Sequence, residues 1–475
     1  MPAPVERNVL HASRAAPHTG EEAPGASFDG GGGGRALLVS FRFPPQGGVG
    51  VHRIAGFTKY LPQYGWEPHV LTGPAQGGRH LEDPTLLGAL QDGCQVTRSG
   101  HMNTKAAMRW LRRLRLDRPV RMLTPCFPMM DAGWIPHGYR VGLRVLRERP
   151  FDLIWSSSYP MASHFVAYLL KRKTGLPWVA DYRDEWSLRP VLQWPTPLHR
   201  AVARRLDRLV TEAADRVVTT SPAHTESFAR AFSGGDGARY RTITNGFDED
   251  DFRNGDGRTA SPLVRADRFT VAHVGTLNGG RSADGLVAAV QSLIAWGRVP
   301  ADRIELLFVG NTKAVEDLGL ESRGVLRRVE YLPHREAVGV MAAADVLLLV
   351  NDERENILAK TFEYLAAGRP ILALAPPGAT AEVVEGARAG AVLDPADAEG
   401  IADHLAGSFR RWRAGRLRSH VDPEVIRGYS RRALTRRLAA VFDDTMKETR
   451  QGPFASKVES GAPAGLETHS PEEDV

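Results

Sequence analysis

The strongest constraint on the fold is an alternation of short apolar runs with amphipathic segments of helical length, which begins at Arg35. This alternation is typical of parallel sheets covered by helices on both faces. The first series of predicted strands comprises Ala36 to Ser40, Pro68 to Leu71, Leu153 to Ser156, Trp178 to Ala180, Arg216 to Thr219 and Tyr240 to Thr244. The second comprises Thr270 to Val274, Ile304 to Val309, Val329 to Leu332, Val346 to Val350, Ile371 to Leu374 and Ala391 to Leu393. The chain is therefore predicted to form two doubly wound, Rossmann-like α/β domains that face a central cleft.

The predicted domain boundaries follow changes in composition. Residues 1–34 and 451–475 are polar or rich in Gly and Pro, and we expect both to be disordered tails. The segment "NGFDEDDFRNGDGRTASP" lacks apolar periodicity and separates a first domain, residues 35–250, from a second, residues 251–422. Residues 423–450 are predicted to form C-terminal helices, with apolar residues at helical spacing.

Hydropathy predicts a cytoplasmic protein. The chain has no run of about 18 apolar residues, and its first residues lack the apolar core of a signal peptide. The two cysteines, Cys94 and Cys126, are too few for a disulfide framework or a thiolate metal cluster.

The formal net charge of +6 is partly concentrated in the basic segment from Lys105 to Arg121, "KAAMRWLRRLRLDRPVR". Basic residues interleaved with Trp and Leu fit a helix at an anionic membrane surface, and they fit a solvated helix face equally well. No nucleic-acid-binding module accompanies the charge, so a nucleic-acid partner is not expected.

A glycine-rich loop, "FPPQGGVGVHR", follows the first predicted strand and precedes a predicted helix. Gly47, Gly48 and Gly50 allow a tight turn and a close approach of the backbone to a ligand. Such a position favours a site for a sugar or a polyanion, although glycines after a strand also serve as plain turn residues. Their spacing is not that of the dinucleotide-binding fingerprint.

A second polar loop lies in "ADVLLLVNDERENILAKTFEYLAAGRPILAL", between a predicted strand and helix. Glu355 and Glu363 stand eight positions apart there, with Lys360 between them. Carboxylates can accept hydrogen bonds from sugar hydroxyls while a lysine and helix amides face a phosphate. The alternative interpretation is an exposed loop glutamate and a surface Glu–Lys pair.

These motifs, taken in order, resemble the retaining glycosyltransferases of family 4, which have the GT-B fold. The resemblance covers about Arg35 to Thr445 and includes "LPQYGWEPHVLT", "GLPWVADYRDEW", "ADRVVTTSPAHTESF", "TNGFDEDDF", "HVGTLNGGRS" and "LPHREAVGVMAAADVLLLV". It implies a nucleotide-sugar donor held by the second domain and an acceptor site in the first, with the last helix crossing back to the first domain. The abundance of Arg, Ala and Gly suggests a bacterial source of high GC content.

The resemblance also implies roles for individual residues. Glu363 matches the family's ribose ligand, and Glu355 matches the residue near the donor sugar. Arg281 and Lys360 are the expected ligands of the diphosphate, whereas the family's frequent arginine after the first glycine is Thr276 here. Gly47, Gly48 and Gly50 match the family's glycine loop.

His164 matches a first-domain histidine that contacts the donor sugar or the acceptor, and a buried core histidine is the competing interpretation. Asp184, in "DYRDEW", directly follows a predicted strand together with Asp181 and Arg183, so all three should face the cleft or pair with one another. Glu355, His164 and Asp184 are thus the candidate catalytic residues.

The resemblance implies no metal or other cofactor, since such enzymes are typically metal-independent. The Asp248, Asp250 and Asp251 pattern lies between the domains and fits a turn and a helix start. The resulting prediction is transfer of a sugar from a nucleoside-diphosphate sugar to the hydroxyl of a glycan, glycolipid or small molecule, with retention of configuration. The pathway would be cell-envelope, exopolysaccharide or specialised-metabolite biosynthesis. A nucleotide-sugar epimerase or phosphorylase of the same fold and a non-catalytic nucleotide-sugar-binding scaffold at a membrane are the alternatives.

Overall fold

The structure is a computed structural model, and its described residues form one compact unit. It describes residues 34–75, 83, 85–88, 94–102, 109, 111–114, 131–189, 194–233, 237–253, 261–277, 281–312, 315 and 318–451. Most of the basic segment from Lys105 to Arg121, both predicted tails and Cys126 lie outside these residues. None of the described helices is both long enough and apolar enough to cross a lipid bilayer.

The first sheet has seven parallel strands in the order β3-β2-β1-β4-β5-β6-β7. Its strands are β1 (Gly34–Ser40), β2 (Trp66–Thr72), β3 (Gln95–Arg98), β4 (Leu153–Ser157), β5 (Trp178–Tyr182), β6 (Arg216–Thr219) and β7 (Tyr240–Thr242). Its helices are α1 (Val49–Tyr60), α2 (Thr85–Gly88), α3 (Ile135–Glu148), α4 (Ala162–Thr174), α5 (Pro197–Ala213), α6 (Pro222–Phe232) and α7 (Glu249–Arg253). We call this part of the molecule the first lobe.

The second lobe is built on six parallel strands in the order β10-β9-β8-β11-β12-β13. They are β8 (Phe269–Val274), β9 (Ile304–Val309), β10 (Leu326–Val329), β11 (Val346–Val350), β12 (Ile371–Leu374) and β13 (Gly390–Leu393). The helices are α8 (Asp284–Ala295), α9 (His334–Ala343), α10 (Ala359–Ala367), α11 (Ala379–Gly386), α12 (Ala398–Arg413), α13 (Pro423–Arg427) and α14 (Arg431–Gln451). Two doubly wound parallel sheets confirm the predicted fold class.

The inner strands of both sheets are buried on both faces, which explains why most of them appear in the sequence as nearly continuous apolar runs. On one face of the first sheet, Leu38 of β1 packs in a cluster with Leu434, Leu438 and Phe442 of the long helix α14. Trp66 of β2 adds an edge-on contact with the ring of Phe442, and its Nε1 donates a hydrogen bond to Asp443. The last helix of the chain therefore forms part of the core of the first lobe.

Two strands were missed or displaced by more than two residues, and both lie at a sheet edge. β3 was not predicted, because "QVTR" is half-buried and lacks an apolar run. β10 spans Leu326–Val329 rather than Val329 to Leu332, and its residues Arg327 and Arg328 are also half-buried. One face of an edge strand lies near solvent, so its composition is mixed and its apolar signal is weak.

Candidate functional site

A cavity of about 750 Å³ opens at the carboxyl ends of the strands of the second sheet. Open α/β sheets bind ligands at this edge, and the volume lies within the range of about 300–1,000 Å³ that is typical of small-molecule sites. Loops after β11, β12 and β13 form most of its wall. Its lining residues are Arg281, Ser282, Val350, Asn351, Asp352, Arg354, Ala375, Pro376, Pro377, Gly378, Ala381, Glu382, Glu385, Val392, Leu393, Asp394 and Pro395.

Arg281 is the one predicted ligand-binding residue among those that line this cavity. Its Nε lies 3.2 Å from Oδ1 of Asp352, and its Nη2 lies 3.8 Å from Oε1 of Glu353. Its side chain is 19% exposed. The guanidinium is thus accessible to a ligand, but it is paired with the carboxylates of Asp352 and Glu353. An anionic ligand would have to replace these two carboxylates as partners of Arg281.

The loop that carries Glu353 and Glu355 is held by the buried side chain of Asn351. The Nδ2 of Asn351 donates to the backbone oxygens of Glu353 at 2.8 Å and Asn356 at 3.2 Å. It also lies 3.0 Å from Oγ1 of Thr380 on α11. These bonds fix the loop against the second lobe, so its carboxylates project from a rigid support.

Glu355 and Asp184 lie on one small pocket between the lobes, which is also lined by Glu185, Arg189, His224, Glu353 and Asn356. Arg189 of the first lobe donates from Nη2 to Oε1 of Glu353 at 2.6 Å, and Ser221 donates to the backbone oxygen of Glu355 at 2.7 Å. Two candidate residues that are distant in sequence therefore meet at the junction of the lobes.

The same pocket contains an unusual carboxyl group, that of Glu185. Burial raises the pKa of Glu185 to about 7, and the negative charge of Glu355 acts in the same direction. A hydrogen bond with Ser227 opposes the shift. Near neutral pH this carboxyl group can therefore hold or release a proton.

Glu363 lies on α10 in contact with the ammonium group of Lys360. Burial alone would raise the pKa of Glu363, but electrostatic interactions with Lys360 and with two neighbouring histidines outweigh burial and lower it. These histidines are His52 of α1 and His334 of α9, whose ring centroids lie 4.5 Å apart. Glu363 is thus a carboxylate with 14% of its side chain exposed, where the two lobes touch.

The glycine loop ends at the start of α1, which begins at Val49 rather than near His52. Gly48 caps the helix with φ of 107°, in the left-handed region that favours glycine. A Cβ atom at Gly50 would lie 1.6 Å from Nη1 of Arg183. The absence of a side chain at Gly50 therefore allows the guanidinium of Arg183 to lie against the first turn of α1.

His164 is a core residue, and the structure does not bring it to the cleft. Its side chain is completely buried, its Nδ1 lies 2.7 Å from Oγ of Ser156, and its ring packs 4.5 Å from that of Tyr182. Burial lowers the pKa of His164 to about 3. These contacts favour the competing interpretation of His164 as a core histidine, and its contact with the donor or the acceptor stays a prediction.

Asp181 is also removed from the cleft. It forms a completely buried salt bridge with Arg53 of α1, with Nη2 and Oδ1 2.6 Å apart. Asp248 and Asp250 bind Lys59, and Asp250 N donates to Oδ1 of Asp248 at the start of α7. That arrangement agrees with a turn and a helix start. No group of three or more potential metal ligands occurs in the part of the chain that the structure describes.

Sequence reasoning missed several residues that meet at the lobe junction. Asn351 and Glu353 lie in the polar loop already singled out, and His52 directly follows the glycine loop, so a signal was present for these three. Arg189 and His334 carry no local signal, because their contacts arise only when the two lobes meet.

Comparisons with known proteins agree with this architecture. The model of the "Glycosyl transferase 4-like domain" family matches residues 47–246, and that of "Glycosyl transferases group 1" matches residues 268–409. A D-inositol 3-phosphate glycosyltransferase 2 from Catenulispora acidiphila is 25% identical over 275 residues. That match spans 54% of this chain and 62% of the relative.

Solved structures resemble the chain over most of its length. A glycosyltransferase from Rickettsia africae has a TM-score of 0.59 at 14% identity, over 87% of this chain and 98% of the other. Anabaena Alr3699/HepE, solved in complex with UDP-glucose, has a TM-score of 0.50 at 16% identity, over 90% of this chain and all of the other (100%). At these identities the similarity establishes a common fold.

Proposed function

We propose that the chain is a glycosyltransferase of GT-B fold that transfers a sugar from a nucleoside-diphosphate sugar to an acceptor hydroxyl with retention of configuration. The two matching family models together span most of the chain, one on each lobe. In this proposal the second lobe binds the donor, the first lobe binds the acceptor, and the reaction occurs where the lobes meet.

The observation that carries the proposal is the cavity at the carboxyl edge of the second sheet, with Arg281 in its wall. Its apolar lining at Pro376, Val392 and Leu393 suits a flat nucleobase, and its volume suits a nucleotide. Arg281 suits the diphosphate because guanidinium and phosphate form charge-assisted, often paired hydrogen bonds. The related fold of HepE was solved with UDP-glucose, which supports a nucleotide-sugar ligand here.

The chemistry of transfer follows from where charge develops. As the glycosidic bond breaks, negative charge builds up on the departing diphosphate, and a fixed arginine stabilises it most at that moment. Arg281 and Lys360 are the proposed sources of positive charge. The departing phosphate itself receives the proton of the acceptor hydroxyl, so no side chain is assigned as the base.

The residues at the lobe junction position the two substrates. Glu355 and Asp184 line the same small pocket, so the residues proposed to act on the donor sugar and on the acceptor lie close to each other. Glu363 is proposed as the ribose ligand, and its low pKa keeps it an acceptor of hydrogen bonds from hydroxyl groups.

We propose two kinds of acceptor, each tied to a different kind of pathway. Cell-envelope or exopolysaccharide assembly would use a glycolipid or glycan, and specialised metabolism would use a small molecule. Binding of the basic segment from Lys105 to Arg121 to an anionic membrane would favour cell-envelope or exopolysaccharide assembly. Of that segment the structure describes residues 109 and 111–114, in which Arg112 and Arg113 are exposed.

Calorimetric titration with UDP, GDP, dTDP and their sugars tests the donor site. We expect one nucleotide series to bind and Arg281→Ala to weaken its binding about tenfold or more, because a charge-assisted contact is lost. Arg298→Ala is the matched control, since Arg298 is also a second-lobe arginine paired with a carboxylate, at Asp403, but lies outside the cavity lining. Equal binding by wild type and both variants would refute the assignment of the cavity.

A further inference from the structure

A second group of basic side chains lies at the carboxyl edge of the first sheet, and the proposed function does not use it. Arg42 lies two residues beyond the end of β1, Arg98 is the last residue of β3, and His137 lies in the first turn of α3. β1 and β3 both pair with β2 in parallel, so Arg42 and Arg98 lie at the same edge of the sheet. We call Arg42, Arg98 and His137 the basic triplet.

Backbone contacts join the three members of the basic triplet. Nη2 of Arg98 donates a hydrogen bond to the backbone oxygen of Pro44, in the loop that also carries Arg42. Two residues after Arg98, a Cβ atom at Gly100 would lie 3.2 Å from Cδ2 of His137. The segment after β3 is therefore in contact with the loop after β1 on one side and with α3 on the other.

Each member of the basic triplet has a buried nitrogen atom that lacks a hydrogen-bond partner among the described residues. These atoms are Nε of Arg42, Nη1 of Arg98 and Nδ1 of His137. Leaving a buried polar group unpaired costs about 1–3 kcal/mol, and more when the group is charged. Three such groups on adjoining segments are hydrogen-bond donors that a ligand could pair with.

The charges around the basic triplet also favour an anionic ligand, because the two arginines lack a paired carboxylate among the described residues. Within the described parts of the chain, neither Arg42 nor Arg98 forms a salt bridge. Burial lowers the pKa of Arg98, with no carboxylate acting against it. Arg42 also acts electrostatically on Arg183 and Tyr159, and the carboxylates that act on Tyr159 are those of Asp131 and Asp184. The positive charge of the two arginines is thus not neutralised by a paired acid.

We propose that Arg42, Arg98 and His137 bind a phosphate group carried by the acceptor. The inference rests on the proposed function, which assigns the acceptor to the first lobe. Two guanidinium groups and an imidazole can supply several charge-assisted hydrogen bonds to the oxygens of one phosphate.

The location of the basic triplet explains what such a contact would achieve. Arg42 is within electrostatic range of Arg183, and the next residue, Asp184, lines the lobe-junction pocket together with Glu355. A phosphate anchored at the basic triplet would therefore leave the remainder of the acceptor free to extend towards the donor sugar. The anchor would position the reacting hydroxyl without contacting the reacting atoms.

The test measures binding of inorganic phosphate and glucose 6-phosphate by calorimetry at constant ionic strength, with glucose as the uncharged control. We expect both phosphates to bind and glucose not to bind. Arg42→Gln and Arg98→Gln should each weaken the binding of both phosphates about tenfold or more. Arg204→Gln changes an exposed first-lobe arginine on α5 and should have no effect.

Titration of the same proteins with the nucleotide that binds the second lobe separates the possible outcomes. Unchanged nucleotide affinity in Arg42→Gln and Arg98→Gln shows that these variants are folded and that the bound phosphate is not that of the donor. Equal phosphate binding by wild type and both variants, or no phosphate binding by the wild type, overturns the inference. Lower nucleotide affinity in both variants would assign the basic triplet to the donor diphosphate and would also overturn it. Failure of every nucleotide to bind would instead refute the proposed function.

Discussion

At the scale of single residues, the contact between Gly50 and Arg183 determines how closely two loops of the first lobe approach. The guanidinium of Arg183 occupies the space that a Cβ atom at residue 50 would need, and it donates hydrogen bonds to the backbone oxygens of Ser158 and Tyr159. A methyl group at this position would force the guanidinium away from those oxygens.

Gly50→Ala should therefore lower the free energy of unfolding by about 1–3 kcal/mol, because a close contact must be relieved and charge-assisted hydrogen bonds are lost. Urea unfolding measures the change. Gly407→Ala is the control, since Gly407 also lies in a helix and a Cβ atom there would have its nearest neighbour at 3.5 Å. The control should be neutral or slightly stabilising, and equal effects at both positions would contradict the account of Gly50.

The buried His164 makes stability depend on pH. Its pKa is about 3 in the folded protein and near 6.5 when unfolded, so below pH 6.5 the unfolded state binds a proton that the native state does not. Stability is then lost as pH falls, by up to about 1.4 kcal/mol per pH unit.

Between pH 7 and pH 5, the wild type should therefore lose about 2 kcal/mol more stability than His164→Gln does. Denaturant unfolding at the two pH values measures the difference, and the exposed His420→Gln should behave like the wild type. The same pH dependence in His164→Gln and the wild type would show that His164 is not a buried neutral base.

At the scale of elements, the long helix α14 closes one face of the first sheet although it follows the second lobe in the chain. Leu438 is completely buried against β1 and β4, and its neighbour Arg437 is exposed. The packing of this helix links the end of the chain to the first lobe.

Leu438→Ala should lower the free energy of unfolding by about 2–5 kcal/mol, because it removes buried apolar surface and leaves a cavity. Arg437→Ala should change it by less than about 0.5 kcal/mol, since surface substitutions rarely do more. Both values come from urea unfolding of the full chain. A small effect of Leu438→Ala would contradict the packing of α14 on the first sheet.

The elements also show what the sequence could predict. Buried parallel strands such as Val346–Val350 and Ile371–Leu374 were predicted with the bounds that the structure shows, because burial on both faces requires a continuous apolar run. The edge strands β3 and β10 were missed or displaced, since their exposed sides admit charged residues. For the site, Arg281 and the loop of Glu355 were predicted from motifs, whereas the contact of Arg189 with Glu353 depends on tertiary structure alone.

At the scale of the whole molecule, Glu353 connects the lobes to the candidate donor site. It forms a salt bridge with Arg189 of the first lobe at 2.6 Å and lies 3.8 Å from Arg281 of the second. If an anionic ligand draws Arg281 away from Glu353, it therefore also changes the electrostatic environment of the Arg189–Glu353 salt bridge at the lobe junction.

We expect Arg189→Gln and Glu353→Gln each to lower the rate of donor turnover about tenfold, because either change weakens the contact between the first lobe and the loop that carries Glu355. The double variant should be no worse than the poorer single variant, since the two residues act through one contact. Multiplication of the two effects in a double-mutant cycle would show that the residues act independently.

The most direct test of the central claim is to incubate the protein with each nucleoside-diphosphate sugar and to measure release of the nucleoside diphosphate, with water or an added acceptor receiving the sugar. The account predicts release from one donor series, slowed about tenfold or more in Glu355→Gln, because the donor sugar loses a fixed hydrogen-bond acceptor. Return of an intact nucleotide sugar with altered configuration would indicate an epimerase. The absence of release from every donor, or equal release by wild type and Glu355→Gln, would contradict the proposed transfer reaction at this site.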